Sequence, residues 1–221
     1  MLYLLLFAAM ILTLVAQFKV KNNFEKYSKI AGSSGMTGAQ VARMILERKG
    51  IHDVSIQAVR GVLTDHYDPM SKTVRLSEAV YDQNSLSAIS VAAHEVGHAM
   101  QHDEEYSFLK FRSLLAPVAA FTSRFIFVLI FIGFLFEIMQ LVDLAIVFFA
   151  IVVLFHVITL PVEFNASRRA LESLEDYSIL SSNEIPFSKK VLSSAALTYV
   201  ASASVAMINL LRLISLRGNR E

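Results

Sequence analysis

Three residues on one short stretch could do chemistry together: His94, Glu95 and His98, in the order His94-Glu95-Val96-Gly97-His98. On an α-helix, positions i and i+4 lie one above the other, about 6 Å apart along the axis, so both imidazoles can reach a single divalent ion. Glu95 adjoins that face, where it can act as general base toward a water polarised by the metal. Ala92, Ala93, Gly97 and Ala99 are small, as expected of a helix that substrate and neighbouring elements must approach closely. The plainer alternative is a polar helix surface without a metal, and the spacing tells against it.

A catalytic zinc also needs a third protein ligand and an open position, and a chain without cysteine must find that ligand among His, Asp and Glu. His102 continues the series 94, 98, 102, but a straight helix sets it about 12 Å from His94, too far to share one ion. The extended zincin pattern places Gly and His three and six residues after the second histidine, and here those positions hold Gln101 and Glu104. Glu163 is the better candidate. It opens the helix-forming run Glu163-Phe164-Asn165-Ala166-Ser167-Arg168-Arg169-Ala170-Leu171-Glu172, whose small residues would let it pack against the metal helix. Asp103, Glu104, Glu105, Glu172, Glu175 and Asp176 are acidic alternatives, read as solvated faces. For an oxyanion donor, the polar residues to test are His66, Tyr67, His156, Arg168, Arg169 and Tyr199.

The elements that must position these residues alternate between apolar and charged. At 221 residues, 55% hydrophobic and 18% charged, with a mean hydropathy of +0.53, the chain cannot be purely soluble. Its formal net charge of +1 gives no basic excess for nucleic acid. Met1 to Phe18 is an apolar run followed by Lys19, Lys21, Lys26 and Lys29, which predicts an uncleaved anchor with its N-terminus outside.

Residues 19–113 predict a small α+β domain. Thr37 and Gln40 form a capping box, Gly50 ends the helix, and residues 54–59 alternate as a strand. Gly61 to Thr64 and Thr73 to Leu76 read as a hairpin around Asp68-Pro69-Met70-Ser71-Lys72, with Thr73 to Ser77 placed as a substrate-binding edge strand. Ser85 caps the helix that carries His94 and His98. Residues 114–160 read as a transmembrane hairpin around Glu137 to Asp143, with Lys110, Arg112, Arg168 and Arg169 holding its feet in the cytoplasm. Arg124 must snorkel or face protein. Residues 161–190 form the third-ligand helix. In 191–221 the apolar run either spans the membrane or packs on the domain; if it spans, Arg212, Arg217 and Arg220 lie outside, against the charge rule.

Several stretches together carry a resemblance: Leu63-Thr64-Asp65-His66-Tyr67-Asp68-Pro69, Val74-Arg75-Leu76-Ser77, Val91 to Gln101 and Pro161-Val162-Glu163-Phe164-Asn165-Ala166-Ser167. With the N-terminal anchor, they make the chain look like the YugP-type family of bacterial membrane zinc metallopeptidases over nearly its whole length. More distantly it resembles the HtpX and CAAX prenyl protease group, whose third zinc ligand is the glutamate of Glu-Phe-x-Ala-Asp. That resemblance implies Glu163 as the third ligand, with Ser167 standing where the group has aspartate.

The resulting expectation is a multi-pass α-helical membrane protein with a small α+β gluzincin-like metalloprotease domain. His94, His98 and Glu163 would hold one Zn2+ and Glu95 would be catalytic. The active site would face the cytoplasm and cleave peptide bonds of membrane or membrane-proximal proteins, with no nucleic-acid partner. The alternatives are an intramembrane zinc protease, for which residues 84–105 are too polar, and a membrane scaffold without catalysis.

Overall fold

The computed structural model describes residues 2–218, so Met1 at the head of the anchor and Arg220 in the basic tail lie outside the described residues. The elements run α1 (Leu2–Tyr27), α2 (Gly38–Arg48), β1 (Ser55–Val59), β2 (His66–Asp68), β3 (Thr73–Ser77), α3 (Glu78–Tyr81), α4 (Leu86–Asp103), α5 (Ser107–Leu135), α6 (Met139–Asp176) and α7 (Ile185–Gly218). The described chain is mostly helical, with one three-stranded sheet.

Local sequence explains the helix ends. The Thr37 hydroxyl accepts from the Gln40 N–H at 3.3 Å, and the Gln40 side chain accepts from the Thr37 N–H at 2.8 Å, closing the capping box. Gly50 then takes φ +73° just beyond the helix, where a side chain would be strained. Ser85 caps α4 by accepting from the Ala88 N–H at 3.2 Å.

The sheet corrects one expectation. Its order is β1-β3-β2, with β1 parallel and β2 antiparallel to β3, so Thr73–Ser77 is the central strand and the edges are β1 and β2. The first strand of the hairpin lies at His66–Asp68 rather than at Gly61 to Thr64. Gly61 (φ +112°) and Leu63 (φ +57°) have left-handed backbones that cannot continue a ladder. The Asp68 carboxylate closes the turn by accepting from the Met70 N–H and the Ser71 hydroxyl, and it pairs with Arg75 of β3 at 2.8 Å.

The chain divides into two compact units. One comprises Gln17–Tyr106 and Val162–Ala196. Its core gathers Val41 and Ile45 of α2, Val74 and Leu76 of β3, Leu86 and Ile89 of α4, and Leu174 of α6. Polar contacts between helices supplement this packing: the Ser87 hydroxyl donates to the Phe24 carbonyl at 2.9 Å, and the Ser90 hydroxyl donates to Ser188 Oγ at 2.7 Å.

The other unit comprises Met1–Ala16, Ser107–Pro161 and Leu197–Glu221. In it α5 and α6 meet closely, since a methyl group added at Gly133 would come within 2.7 Å of the Val142 side chain. Val142, Ala145 and Leu213 form a buried cluster, and Arg217 Nε donates to Asp143 at 2.9 Å. Phe127 is 77% exposed and Phe131 67%, an apolar surface suited to lipid. Helices α1, α5, α6 and α7 are each long and apolar enough to cross a membrane.

Helix α6 is continuous from Met139 to Asp176 with Pro161 inside it. The second apolar stretch of the hairpin and the run beginning at Glu163 are therefore one element rather than two. Proline removes its own N–H bond and crowds the carbonyl one turn before it, yet the helix runs on through Pro161. Likewise α7 starts at Ile185, ahead of the apolar run at 191.

Thr37→Ala removes the acceptor for the Gln40 N–H and should destabilise the unit by about 1 kcal/mol. Denaturant unfolding of the purified protein checks this, and an unchanged midpoint would show that the cap contributes nothing.

Candidate metal centre

His94 and His98 project one turn apart from α4, and Glu163 comes to them from α6. Glu163 Oε2 lies 3.3 Å from His94 Nε2 and 3.6 Å from His98 Nε2. One donor atom from each of the three residues lies within 4.8 Å of the others. A tetrahedral zinc with ligand bonds of about 2.0 to 2.1 Å sets its ligand atoms about 3.4 Å apart, so the donor types and the two separations from Glu163 suit such an ion.

The far side of each imidazole is held as well. His98 Nδ1 lies 3.0 Å from Gln101 Oε1, and His94 Nδ1 lies 3.2 Å from the Ser167 hydroxyl. Proton-bearing Nδ1 atoms leave the Nε2 lone pairs facing Glu163, the arrangement that metal-binding histidines use. The Ser167 hydroxyl thus serves His94.

A close helix contact brings the ligands together. A methyl group at Gly97 would sit 2.6 Å from the Ala166 carbonyl oxygen and 3.1 Å from its carbonyl carbon. Only glycine lets the backbone of α6 come this near to α4. Ala93, one turn before Gly97, and Ala170, one turn after Ala166, are buried and small too.

Glu95 is 8% exposed and lies outside the set of candidate ligands. Burial pushes its carboxyl up to about 7. Nearby His94 and the backbone N–H of Tyr67 pull the other way, while the charges of Glu163 and Asp65 add to the rise. Tyr67 therefore touches α4 twice, since its hydroxyl also lies 2.7 Å from His102 Nδ1. Burial pushes that phenol up to about 12, with Asp53, Asp68 and Asp103 adding to the effect. Asp65 accepts from the Ser77 N–H at 2.7 Å and from its hydroxyl at 3.0 Å, tying the start of β2 to the end of β3.

The other residues singled out from sequence have different places. His102 is engaged with Tyr67 and is not among the clustered ligands. Arg168 pairs with Glu172 at 2.9 Å, and Arg169 grips Glu104 through two nitrogens, each at 2.6 Å. His66 Nδ1 contacts the Thr64 carbonyl at 2.8 Å. His156 and Tyr199 belong to the other unit. Gln101 and Asn165 gather around the ligands without having been singled out for it. The available signal was helical spacing: Gln101 lies one turn beyond His98, and Asn165 lies one turn before Arg169.

Residues 2–218 match the family described as "Putative neutral zinc metallopeptidase". The chain belongs to that family. It is also similar to "Putative membrane protease YugP" of Bacillus subtilis (strain 168), 52% identical over 216 residues that cover 97% of this chain and 96% of the relative. No solved structure matches. Membership of a zinc metallopeptidase family agrees with a cluster of two imidazoles and a carboxylate that could hold a metal.

Because the obstruction at Gly97 is backbone, it cannot yield cheaply. Gly97→Ala should part α4 from α6 and weaken zinc binding by at least about tenfold, with about 1 to 3 kcal/mol lost in stability. Chelator competition and unfolding measure the two effects, and an alanine variant with unchanged zinc affinity would show that the helix contact does not set the ligand geometry.

Proposed function

We propose that the protein is a membrane-embedded zinc endopeptidase of gluzincin type, with His94, His98 and Glu163 holding one zinc and Glu95 as general base. The spacing of three nitrogen and oxygen donors, 3.3 and 3.6 Å along two edges, carries this reading. A bound zinc would polarise the scissile carbonyl and acidify the attacking water. The Glu95 carboxylate takes the proton from that water and delivers it to the leaving amine nitrogen. The Tyr67 N–H steadies the carboxylate through this exchange. Strand β2, at the edge of the sheet and in contact with Glu95 through Tyr67, is the element suited to receive an extended peptide.

The substrates are segments of membrane or membrane-proximal proteins, and the active site faces the cytoplasm. In support, Glu163 follows the apolar stretch of α6 by only a few residues along the same helix. Lys19, Lys21, Lys26, Lys29, Lys110 and Arg112 flank the apolar stretches on the side assigned to the cytoplasm. With α7 as a fourth span, both chain ends lie outside. The contact of Arg217 with Asp143, next to the α5–α6 turn, offsets the basic charge that would otherwise oppose this arrangement.

Two measurements test the reading. In the detergent-purified protein, Glu95→Gln should keep about one zinc and lose casein cleavage by a factor of about 10² to 10⁴, whereas Glu163→Ala should lose both zinc and cleavage. Cleavage that survives in Glu95→Gln would refute its role as base. For orientation, the chain has no cysteine and Met70 is 94% exposed, so Met70→Cys reports the side of the membrane. An impermeant maleimide should label it only after the cells are opened, and labelling of intact cells would reverse the topology.

A further inference from the structure

Arginine can only donate hydrogen bonds, and that fact fixes a series of orientations leading to one metal-binding histidine. Two guanidinium nitrogens of Arg169 are held by the Glu104 carboxylate at 2.6 Å each, and its Nε donates to Asn165 Oδ1 at 2.7 Å. The Asn165 atom at that place must therefore be oxygen. The same oxygen accepts from Gln101 Nε2 at 2.9 Å, and the Val162 carbonyl accepts from that nitrogen at 2.8 Å. A flipped Gln101 would set oxygen against both acceptors, so its Oε1 has to face the other way, 3.0 Å from His98 Nδ1. An oxygen there requires a proton on Nδ1, which turns the Nε2 lone pair to the metal position.

We infer that Arg169, Asn165 and Gln101 act as a series of positioning residues that fixes the tautomer and ring orientation of His98 for metal binding. Gln101 is completely buried and makes all of these contacts, so it has no freedom to rotate without losing several hydrogen bonds at once. The three residues belong to α4 and α6, and the same bonds hold those two helices in register where the ligands meet. Arg169 and Glu104 are thereby orienting groups rather than a solvated ion pair or an oxyanion donor. The inference rests on the reading of His98 as a metal ligand.

The test measures zinc affinity of the detergent-purified full chain by competition with a chromophoric chelator, for wild type, Asn165→Leu, Asn165→Asp and Gln101→Leu. Aspartate keeps an acceptor oxygen for both Arg169 and Gln101, and leucine keeps none. Asn165→Leu and Gln101→Leu should bind zinc roughly 10- to 100-fold more weakly, while Asn165→Asp stays within about threefold of wild type. Nitrogen-proton NMR of histidine-labelled, zinc-loaded wild type should show a slowly exchanging proton on His98 Nδ1, and exchange should quicken in Asn165→Leu.

Leucine and aspartate variants that bind zinc equally well, or that lose it equally, would overturn the inference. A His98 proton found on Nε2 would do the same. If buried Gln101→Leu fails to fold, the half-buried Asn165 pair and the wild-type spectrum decide. Wild-type protein that takes up no zinc overturns the metal reading itself, an outcome distinct from zinc that binds without regard to Asn165.

Discussion

The approach of Gly97 to the backbone of Ala166 is the constraint on which the centre depends. Two imidazoles on one helix can be placed by helical geometry alone, but the carboxylate belongs to a helix far along the chain. Its position is set by how nearly the two backbones meet. Small residues at 93 and 170, one turn from Gly97 and Ala166, leave room for such an approach, and Glu163, at 2% exposure, is buried as deeply as the hydrophobic core. A carboxylate at that depth carries a desolvation cost that only facing cationic or hydrogen-bonding groups can offset. With imidazole lone pairs turned toward it, the carboxylate needs a cation among the three donors to offset that cost, which a divalent ion would supply.

Polar groups inside this unit do work that an apolar core could not. Leucine or isoleucine at position 101 would fill the same space, but the contact between α4 and α6 would lose its directional content. Gln101 reads three partners at once and is satisfied by all of them, the condition under which a buried polar network specifies one arrangement. Serines 87 and 90 make single contacts of the same kind to α1 and α7, so α4 is bonded through side chains on several sides. The helix that carries His94 and His98 is thus held against rotation by side-chain bonds.

Much of this was legible in the sequence where the signal was local. The Thr37–Gln40 box, the Ser85 cap and the spacing of His94 and His98 each depend on residues within a turn or two, and each is found where the sequence puts it. Glu163 was reachable because small residues follow it and because a resemblance pointed to it. Strand β2 was displaced from its expected place because the backbones of Gly61 and Leu63 are left-handed, which a hydrophobic pattern does not encode. The continuity of α6 was hidden by Pro161, a residue that usually marks an end. Gln101 was noticed only as a departure from another pattern, since its role needs Asn165, Val162 and Arg169 to be brought to it in space.

The unit that holds the centre is built from two separate lengths of chain, Gln17–Tyr106 and Val162–Ala196. The histidines belong to the first length and the carboxylate to the second. During synthesis about 65 residues intervene, which at 5 to 20 residues per second is about 3 to 13 seconds. For that interval the nascent chain has His94 and His98 but neither Glu163 nor the part of α6 that seats it. The three candidate ligands therefore come together only after α1, α5 and the apolar part of α6 have been made, and before α7 is complete. Assembly of the candidate centre is in this way tied to the order of its parts.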